Sequence, residues 1–517
     1  MAAIRHPPPM KGAIPLALAL LLSGSCSGAP DVTTPTGSAT PPPSRSHTPV
    51  TLTNPSSTSG VTPSVVLTST PLPTFPVDYY PLRIEFTTTS DWAELEFINA
   101  EAILAARVVA VTGSPEAATA SSSRIGLSRP VAALSSEPIA SITVDIAVSA
   151  ANLPQPLLVV SRHGAFGGSG TQLSYLAHDS RRLLREINHY WVDPNNPDTS
   201  SARYSLDLSL LSDLQPTHAE LQRLAPQRML WAVFYPWIAW DLHAACTDTP
   251  LLGHALDDPD VLAAHIRQAQ EAGIDGFLVS WLNDPDLNRR LSTLLDAADA
   301  TGFKIAIYLE TAPDPTDRTL RPAQVREWIA YALRVFGDHP AYMRLDDRPL
   351  IFVYSSDAAP LSIWQDMFDA LSARGLTGSY FAMSYDPANL DVFDGLHQYA
   401  VLGDPDLAAT YRSVARSVRY SSLLSDSPRL GIWAATVHPG FDNCPYGPAS
   451  PYVVDREDGE YYRRTFLAAI ASDPDWIIIT SWNEFGENTH IAPSVRYGDT
   501  YRGITRELAQ LWRTRGE

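Results

Sequence analysis

Trp476–Ser494 reads WIIITSWNEFGENTHIAPS. It opens on Trp476-Ile477-Ile478-Ile479-Thr480, a run rich in β-branched residues and too short for a helix. A strand buried on both faces has that composition. The run then breaks into Ser481, Trp482, Asn483, Glu484, Gly486, Glu487, Asn488 and His490. Two carboxylates three residues apart, among indole, amide and imidazole groups, therefore stand just past the C-terminal end of a buried strand. In a (β/α) barrel that rim carries the chemistry. A merely solvated loop would have no use for Trp482 and Phe485.

Working outward, the same alternation of strand and helix fills the chain from about Gln227 onward. The expected strands are Met229–Tyr235, Ile274–Ser280, Lys304–Glu310, Pro349–Tyr354, Tyr380–Ser384, Phe393–Tyr399, Arg429–Val437 and Trp476–Ser481. Helical patterns separate most of them: Pro259–Ala272, Asp286–Thr301, Pro322–Phe336, Leu361–Arg374, Asp406–Arg419 and Asp458–Ser472, with Thr500–Arg515 last. Asp258-Pro259 and Arg321-Pro322 are start signals and Ala272-Gly273 a stop signal. Few residues lie between Ser384 and Phe393, so the fifth unit has little room for a helix. Eight such units in about 290 residues predict a (β/α)8 TIM barrel over 227–517.

Function should then gather where the strands exit. Those exits carry Tyr235, Trp237, Trp240 and His243, then Trp281, Glu310, Tyr354, His397 and Tyr399. His438 and Asp442 follow the seventh strand, and Trp482, Asn483, Glu484 and Glu487 the eighth. Singly, each aromatic is better explained as packing at the barrel mouth. Together with carboxylates they suit a sugar cleft, in which rings stack on pyranose C–H faces and acids bind hydroxyls. Two carboxylates at one scissile bond equip a glycosidase, one protonated to aid the leaving oxygen and the other ionised. Glu484 and Glu487 are the candidates, with Glu310 in reserve. Like charges held close raise one pKa, as the acid needs. His243, His254, His397, His438 and His490 fall on separate loops without metal-ligand spacing, so neither metal nor cofactor is expected. Cys246 and Cys444 fall on loops at the same rim, and a disulfide between them is expected.

Ahead of the barrel, residues 77–226 alternate with period two in Leu82–Phe86, Ala93–Phe97, Ile142–Ile146 and Ala202–Leu208, while Leu157–Val160 reads as buried. This predicts a β-sandwich accessory domain. The glycine cluster GAFGGSG at Gly164–Gly170 lacks both a following βαβ unit and the last glycine of a nucleophile elbow, so it reads as a loop. Residues 27–76 are Pro, Ser and Thr with few large apolar groups, the composition of an extended tether. Met1–Cys26 has a basic start at Arg5 and Lys11, a short apolar core Ala13–Leu22 and a small-residue exit. Cys26 after Leu-Ser-Gly-Ser is a candidate lipidation site, with plain secretion as the alternative; any membrane contact is expected through that anchor alone. A formal charge of -19 over 517 residues argues against nucleic acid, which needs clustered Lys and Arg. A neutral glycan substrate suits an acidic, aromatic-bearing surface.

From about Trp231 onward the chain resembles glycoside hydrolase family 99, the endo-α-mannosidases and their bacterial relatives. The matching pieces are Tyr235-Pro236-Trp237, Asp258-Pro259-Asp260, and Ala272-Gly273-Ile274-Asp275-Gly276-Phe277-Leu278-Val279-Ser280-Trp281. His339-Pro340-Ala341-Tyr342, Ile351-Phe352-Val353-Tyr354, His438-Pro439-Gly440-Phe441-Asp442 and Ser481-Trp482-Asn483-Glu484-Phe485-Gly486-Glu487 follow in order. The resemblance implies that Glu484 is the base that draws the proton from the sugar's own 2-hydroxyl, which attacks C1 to give a 1,2-anhydro intermediate. It implies that Glu487 protonates the leaving oxygen and then activates water. Tyr235, Trp281, Glu310 and Tyr399 would line the sugar subsites. The family motif W-H-E-G-T-x-I-E-P is altered here, with Gly486 before the acid and Ala492 before the proline. The N-E-F-G-E form also resembles family 71, the endo-α-1,3-glucanases. The expectation is thus an exported hydrolase of α-linked glycans, of α-mannoside type and endo-acting. An α-1,3-glucanase and a non-catalytic surface glycan-binding protein are the alternatives.

Overall fold

In the computed structural model, eight short apolar runs close into one parallel barrel. They are β1 (Met229–Phe234), β2 (Gly276–Trp281), β3 (Lys304–Leu309), β4 (Arg348–Val353), β5 (Ser379–Met383), β6 (Gly395–His397), β7 (Ile432–Val437) and β8 (Trp476–Ile479). Each pairs with its neighbours in chain order, and β1 closes on β8 with Met229 opposite Trp476 and Ala232 opposite Ile479. The structure describes residues 74–88, 92–113, 117–120, 123–128, 140–152, 157–164, 171–177, 182–189, 199–206, 211, 214–222, 227–237, 246–253, 255–311, 320–425, 431–446 and 451–515. The expected export segment, the tether up to residue 73, most of the glycine cluster, and Trp240, His243 and His254 lie outside them.

Side chains alternate across the barrel wall, as strand geometry requires. Met229, Trp231, Val233 and Tyr235 face the interior with Leu278, Tyr308, Phe352, Phe381, Tyr399 and Trp476. Leu230, Ala232 and Phe234 face outward and share a larger core with helix residues such as Leu262, Ile266, Leu291 and Ile329. Gly276 has no room for a side chain: a Cβ there would lie 2.4 Å from the Trp231 ring and 2.6 Å from the Lys304 carbonyl oxygen.

Seven α-helices of the described residues cover the wall: Pro259–Glu271, Pro285–Asp299, Pro322–Val335, Leu361–Ser372, Leu407–Arg419, Glu460–Ala471 and Thr500–Thr514. Asp258 and Asp284 cap the first two, their carboxylates accepting the N–H of Asp260 and of Asp286 respectively, each with proline at the first helical position. Between β5 and β6 the wall is covered by a 3₁₀ turn, Pro387–Asp391, in place of a helix.

The N-terminal part forms two antiparallel sheets. One holds Thr74–Thr88, Ile103–Thr112, Ala140–Ser149, Thr171–Ala177, Arg182–His189 and Thr217–Gln222; the other holds Trp92–Phe97, Ala117–Ala120, Arg124–Ser128, Leu157–Gly164 and Thr199–Leu206. Leu82, Ile84, Phe86, Ile142 and Val144 of the first share a core with Leu95, Phe97, Ile125 and Val159 of the second. The first strand starts at Thr74 and pairs at once with Gln222, so residues 74–76, expected in the tether, belong to the sheet.

These sheets dock on the barrel's outer wall on both sides of β6, against the turn before it and the helix after it. Arg107 pairs with Asp391 at 2.6 Å and donates to the Leu424 carbonyl at 3.1 Å. Arg416 donates to the Ala100 carbonyl, and Phe75 meets the Tyr420 ring edge-on with centroids 6.1 Å apart. Cys246 and Cys444 form a disulfide, tying the loop after β1 to the loop after β7.

Candidate active site

The polypeptide leaves β8 and folds back on itself. The Ser481 N–H donates to the Thr489 carbonyl and the Thr489 N–H to the Glu484 carbonyl, while Ser481 Oγ accepts the Glu484 N–H at 2.9 Å. Asn488 takes φ of 48°, a left-handed turn that asparagine tolerates better than most residues. Phe485 stacks on His490 with centroids 3.9 Å apart, filling the inside of the loop.

Asn483 fixes the loop to β1. Its side-chain oxygen accepts the Tyr235 N–H at 2.7 Å, and its amide donates to the Tyr235 carbonyl at 2.8 Å. Both bonds are buried, so neither backbone group is left unsatisfied. Tyr235 then points inward, with its hydroxyl 2.7 Å from that of Tyr399, and the Tyr399 hydroxyl donates to Glu487 Oε2 at 2.9 Å. Tyr354 packs edge-on against Tyr399, and Trp237 edge-on against Tyr235.

Three carboxylates meet here. Glu310, Glu484 and Glu487 are 3%, 7% and 3% exposed, so water screens their mutual repulsion little. Burial, the charge of Glu484 and, more weakly, that of Glu310 push Glu487 up to about 8, against the pull of the Tyr399 hydrogen bond. Burial also pushes Glu310 up to about 7, opposed by a hydrogen bond from Ser280 and assisted by the charge of Glu484. Glu484 Oε1 accepts the Gly486 N–H at 2.8 Å. Two acids that hold protons near neutrality beside a third carboxylate are what general acid–base chemistry at pH 7 uses.

Several expected sugar contacts stand elsewhere. Trp281 is fully buried on the outward side of β2 and donates to Asn288 of the next helix at 2.9 Å. Trp482 is likewise buried in the outer core and donates at 3.0 Å to His265, which burial keeps neutral with a pKa lowered to about 4. The inward positions beside them are Ser280 and Asn483. His438 is fully buried against the Gly440 carbonyl, with its pKa lowered by burial to about 4. Asp442 caps the turn at Cys444, and its N–H donates to the Glu487 carbonyl at 2.8 Å.

Two charged groups that spacing did not single out hold the loop from outside. Asp248 bonds His490 at 3.1 Å; burial pushes this carboxylate up, but hydrogen bonds from His490, Ser494 and the Arg496 and Thr249 N–H groups outweigh it and hold it low. Arg456, 7% exposed, donates to the Asn488 and His490 carbonyls at 2.7 and 2.8 Å and lies over the Tyr497 and Tyr501 rings. Among the described residues no three His, Cys, Asp or Glu converge as a metal site, and no helix is long and apolar enough to cross a membrane.

A parallel barrel with buried, mutually repelling carboxylates at the C-terminal ends of its strands defines a protein of the glycosidase-like barrel class. The model of glycosyl hydrolase family 99 matches residues 241–502, just over half of the chain, and the chain belongs to that family. Among relatives, the mouse (Mus musculus) glycoprotein endo-alpha-1,2-mannosidase is 24% identical over 270 residues, 48% of this chain and 56% of that one. The ascus wall endo-1,3-alpha-glucanase of Schizosaccharomyces pombe is 22% identical over 243 residues, 44% of this chain and 53% of that one. The chain thus spans little more than half the length of the curated relatives it matches. A solved GH99 endo-alpha-mannosidase from Bacteroides thetaiotaomicron is 25% identical, covering 56% of this chain and 98% of that one, with a TM-score of 0.49.

Proposed function

We propose that the protein hydrolyses α-linked glycans, of α-mannoside type and with endo action, at Glu484 and Glu487. The observation that carries this reading is the buried carboxylate group in which Glu487 is held protonated beside Glu484. Glu487 protonates the leaving glycosidic oxygen and, once ionised, takes a proton from the incoming water. Glu484 draws the proton from the 2-hydroxyl, whose oxygen attacks C1 as the leaving bond breaks; water then opens the 1,2-anhydro ring at C1 while Glu484 returns its proton to the 2-oxygen. That route needs a 2-hydroxyl trans to the leaving group, as α-mannosides have. Tyr235, Tyr399, Tyr354 and Trp237 form the wall facing the sugar, and Asn483 positions the loop.

The similarity to an endo-1,3-alpha-glucanase favours α-1,3-glucan as the second substrate to test. Product release from α-mannans and α-glucans, with anomeric configuration followed by NMR, separates the two. Wild-type cleavage with retention, reduced at least 10²-fold or so in Glu487→Gln, is the expected result. Cleavage of α-1,3-glucan alone would move the assignment, and cleavage undiminished in Glu487→Gln would remove the mechanism.

The two sheets of residues 74–222 are best read as a β-sandwich accessory domain to the barrel. The apolar Ala13–Leu22, Cys26 and the Cys246–Cys444 disulfide support an exported, lipid-anchored placement. Fractionation of cells expressing Cys26→Ser tests it, with release from the membrane fraction expected.

A further inference from the structure

Beyond the carboxylate group, the barrel's C-terminal face carries a hollow. A cavity of about 580 Å³ lies between the short hairpin Phe441–Asp442/Val453–Val454 and the starts of the last two helices. That volume falls within the ~300–1,000 Å³ range of small-molecule sites. Its wall is continuous with the catalytic loop: Asn488 lines it directly after Glu487, and Asp442 lines it while donating its N–H to the Glu487 carbonyl.

The lining chemistry is selective. Asp442, Asp455 and Asp458 stand against Arg456 and Arg496, three carboxylates to two guanidinium groups. The lining therefore carries a net formal charge of one negative, and the Arg456 guanidinium is held in place by two backbone carbonyls and two tyrosine rings. An anionic ligand would be repelled. A purely apolar one would strand the carboxylates. Hydroxyl-rich ligands satisfy both constraints, because the carboxylates of Asp455 and Asp458 accept from sugar hydroxyls while the exposed Arg496 guanidinium donates to hydroxyl oxygens.

We propose that this cavity is a second carbohydrate site, taking neutral sugar residues of a long glycan whose scissile bond lies at Glu484 and Glu487. The inference rests on the hydrolase reading above, and it adds a requirement for chain length. Short substrates never reach the cavity, whereas long ones are held by it.

The test compares wild type with Asp455→Ala/Arg496→Ala, two exposed lining residues outside the carboxylate group. Neutral α-linked oligosaccharides of two and of six or more sugars serve as substrates, with a uronate-bearing oligomer of the longer length as a third. The expected result is an approximately tenfold rise in KM for the long neutral substrate, with kcat retained and the short substrate unaffected. An equal change on both lengths, no change on either, or better binding of the uronate-bearing oligomer by wild type overturns the proposal. Glu487→Gln runs in parallel: if it abolishes cleavage while the double variant changes nothing, the cavity proposal fails alone. If cleavage survives Glu487→Gln, the hydrolase reading fails first. Thermal melting of the double variant, expected at the wild-type temperature, separates binding loss from misfolding.

Discussion

Glu487 shows how burial sets chemistry. Its pKa of about 8 keeps it protonated at neutral pH, so activity should fall as pH rises through that value. Tyr399 opposes the rise by donating to the carboxylate. Tyr399→Phe should therefore move the alkaline limb of the pH–rate profile upward, by about one unit for a charge-assisted bond of roughly 1.5 kcal/mol. An unmoved limb would mean that another group sets it. Stability follows the same linkage. Carboxyls whose folded pKa lies above the unfolded one favour the fold below about pH 4.5, and that contribution fades up to about pH 8. Melting temperature should fall across that window, and Glu487→Gln should flatten the fall. Spacing made Glu484, Glu487 and the reserve Glu310 legible as candidates because all three follow the C-terminal ends of strands. It could not reveal the Tyr235–Tyr399–Glu487 chain, since that contact joins three strand ends far apart in sequence.

The strand is where the reading both succeeded and failed. Apolar runs between helical patterns identified all eight barrel strands, most within one or two residues of their bounds, because burial on both faces leaves little freedom in composition. The same double burial conceals which face a side chain takes. Trp281 and Trp482 sit one residue away from the inward positions Ser280 and Asn483, and a one-residue step moves a side chain across the wall. Gly276 makes the wall's tolerance measurable. Gly276→Ala would drive a methyl into the Trp231 ring and the Lys304 carbonyl, costing about 1–3 kcal/mol in chemical denaturation. Wild-type stability in that variant would show that Trp231 can move aside. The 3₁₀ turn Pro387–Asp391 is legible in the shortness of its segment, though its type is not.

For the whole molecule, two ties matter: the docking of the N-terminal sheets and the disulfide across the mouth. The sheets grip the wall through Arg107, Arg416 and Phe75, leaving the mouth face uncovered by those contacts. None of these three docking contacts was readable, because they join residues roughly 280 or more apart by pairing that no periodicity encodes. The disulfide spans 198 residues. A Cys246→Ser/Cys444→Ser variant should lose about 2–4 kcal/mol, read as a lowered melting temperature that reducing agent no longer changes. A variant as stable as wild type would show that the loops are held by other contacts.

Asn483 clasps the backbone of Tyr235 across 248 residues of sequence, and β8 completes the ring that β1 began. During synthesis, Tyr235 therefore waits for nearly the whole barrel to be made before its partner leaves the ribosome. A nascent chain interrupted anywhere before residue 483 has its first wall but neither Glu484 nor Glu487 of the candidate site. Closing the barrel and assembling the candidate site are therefore a single event.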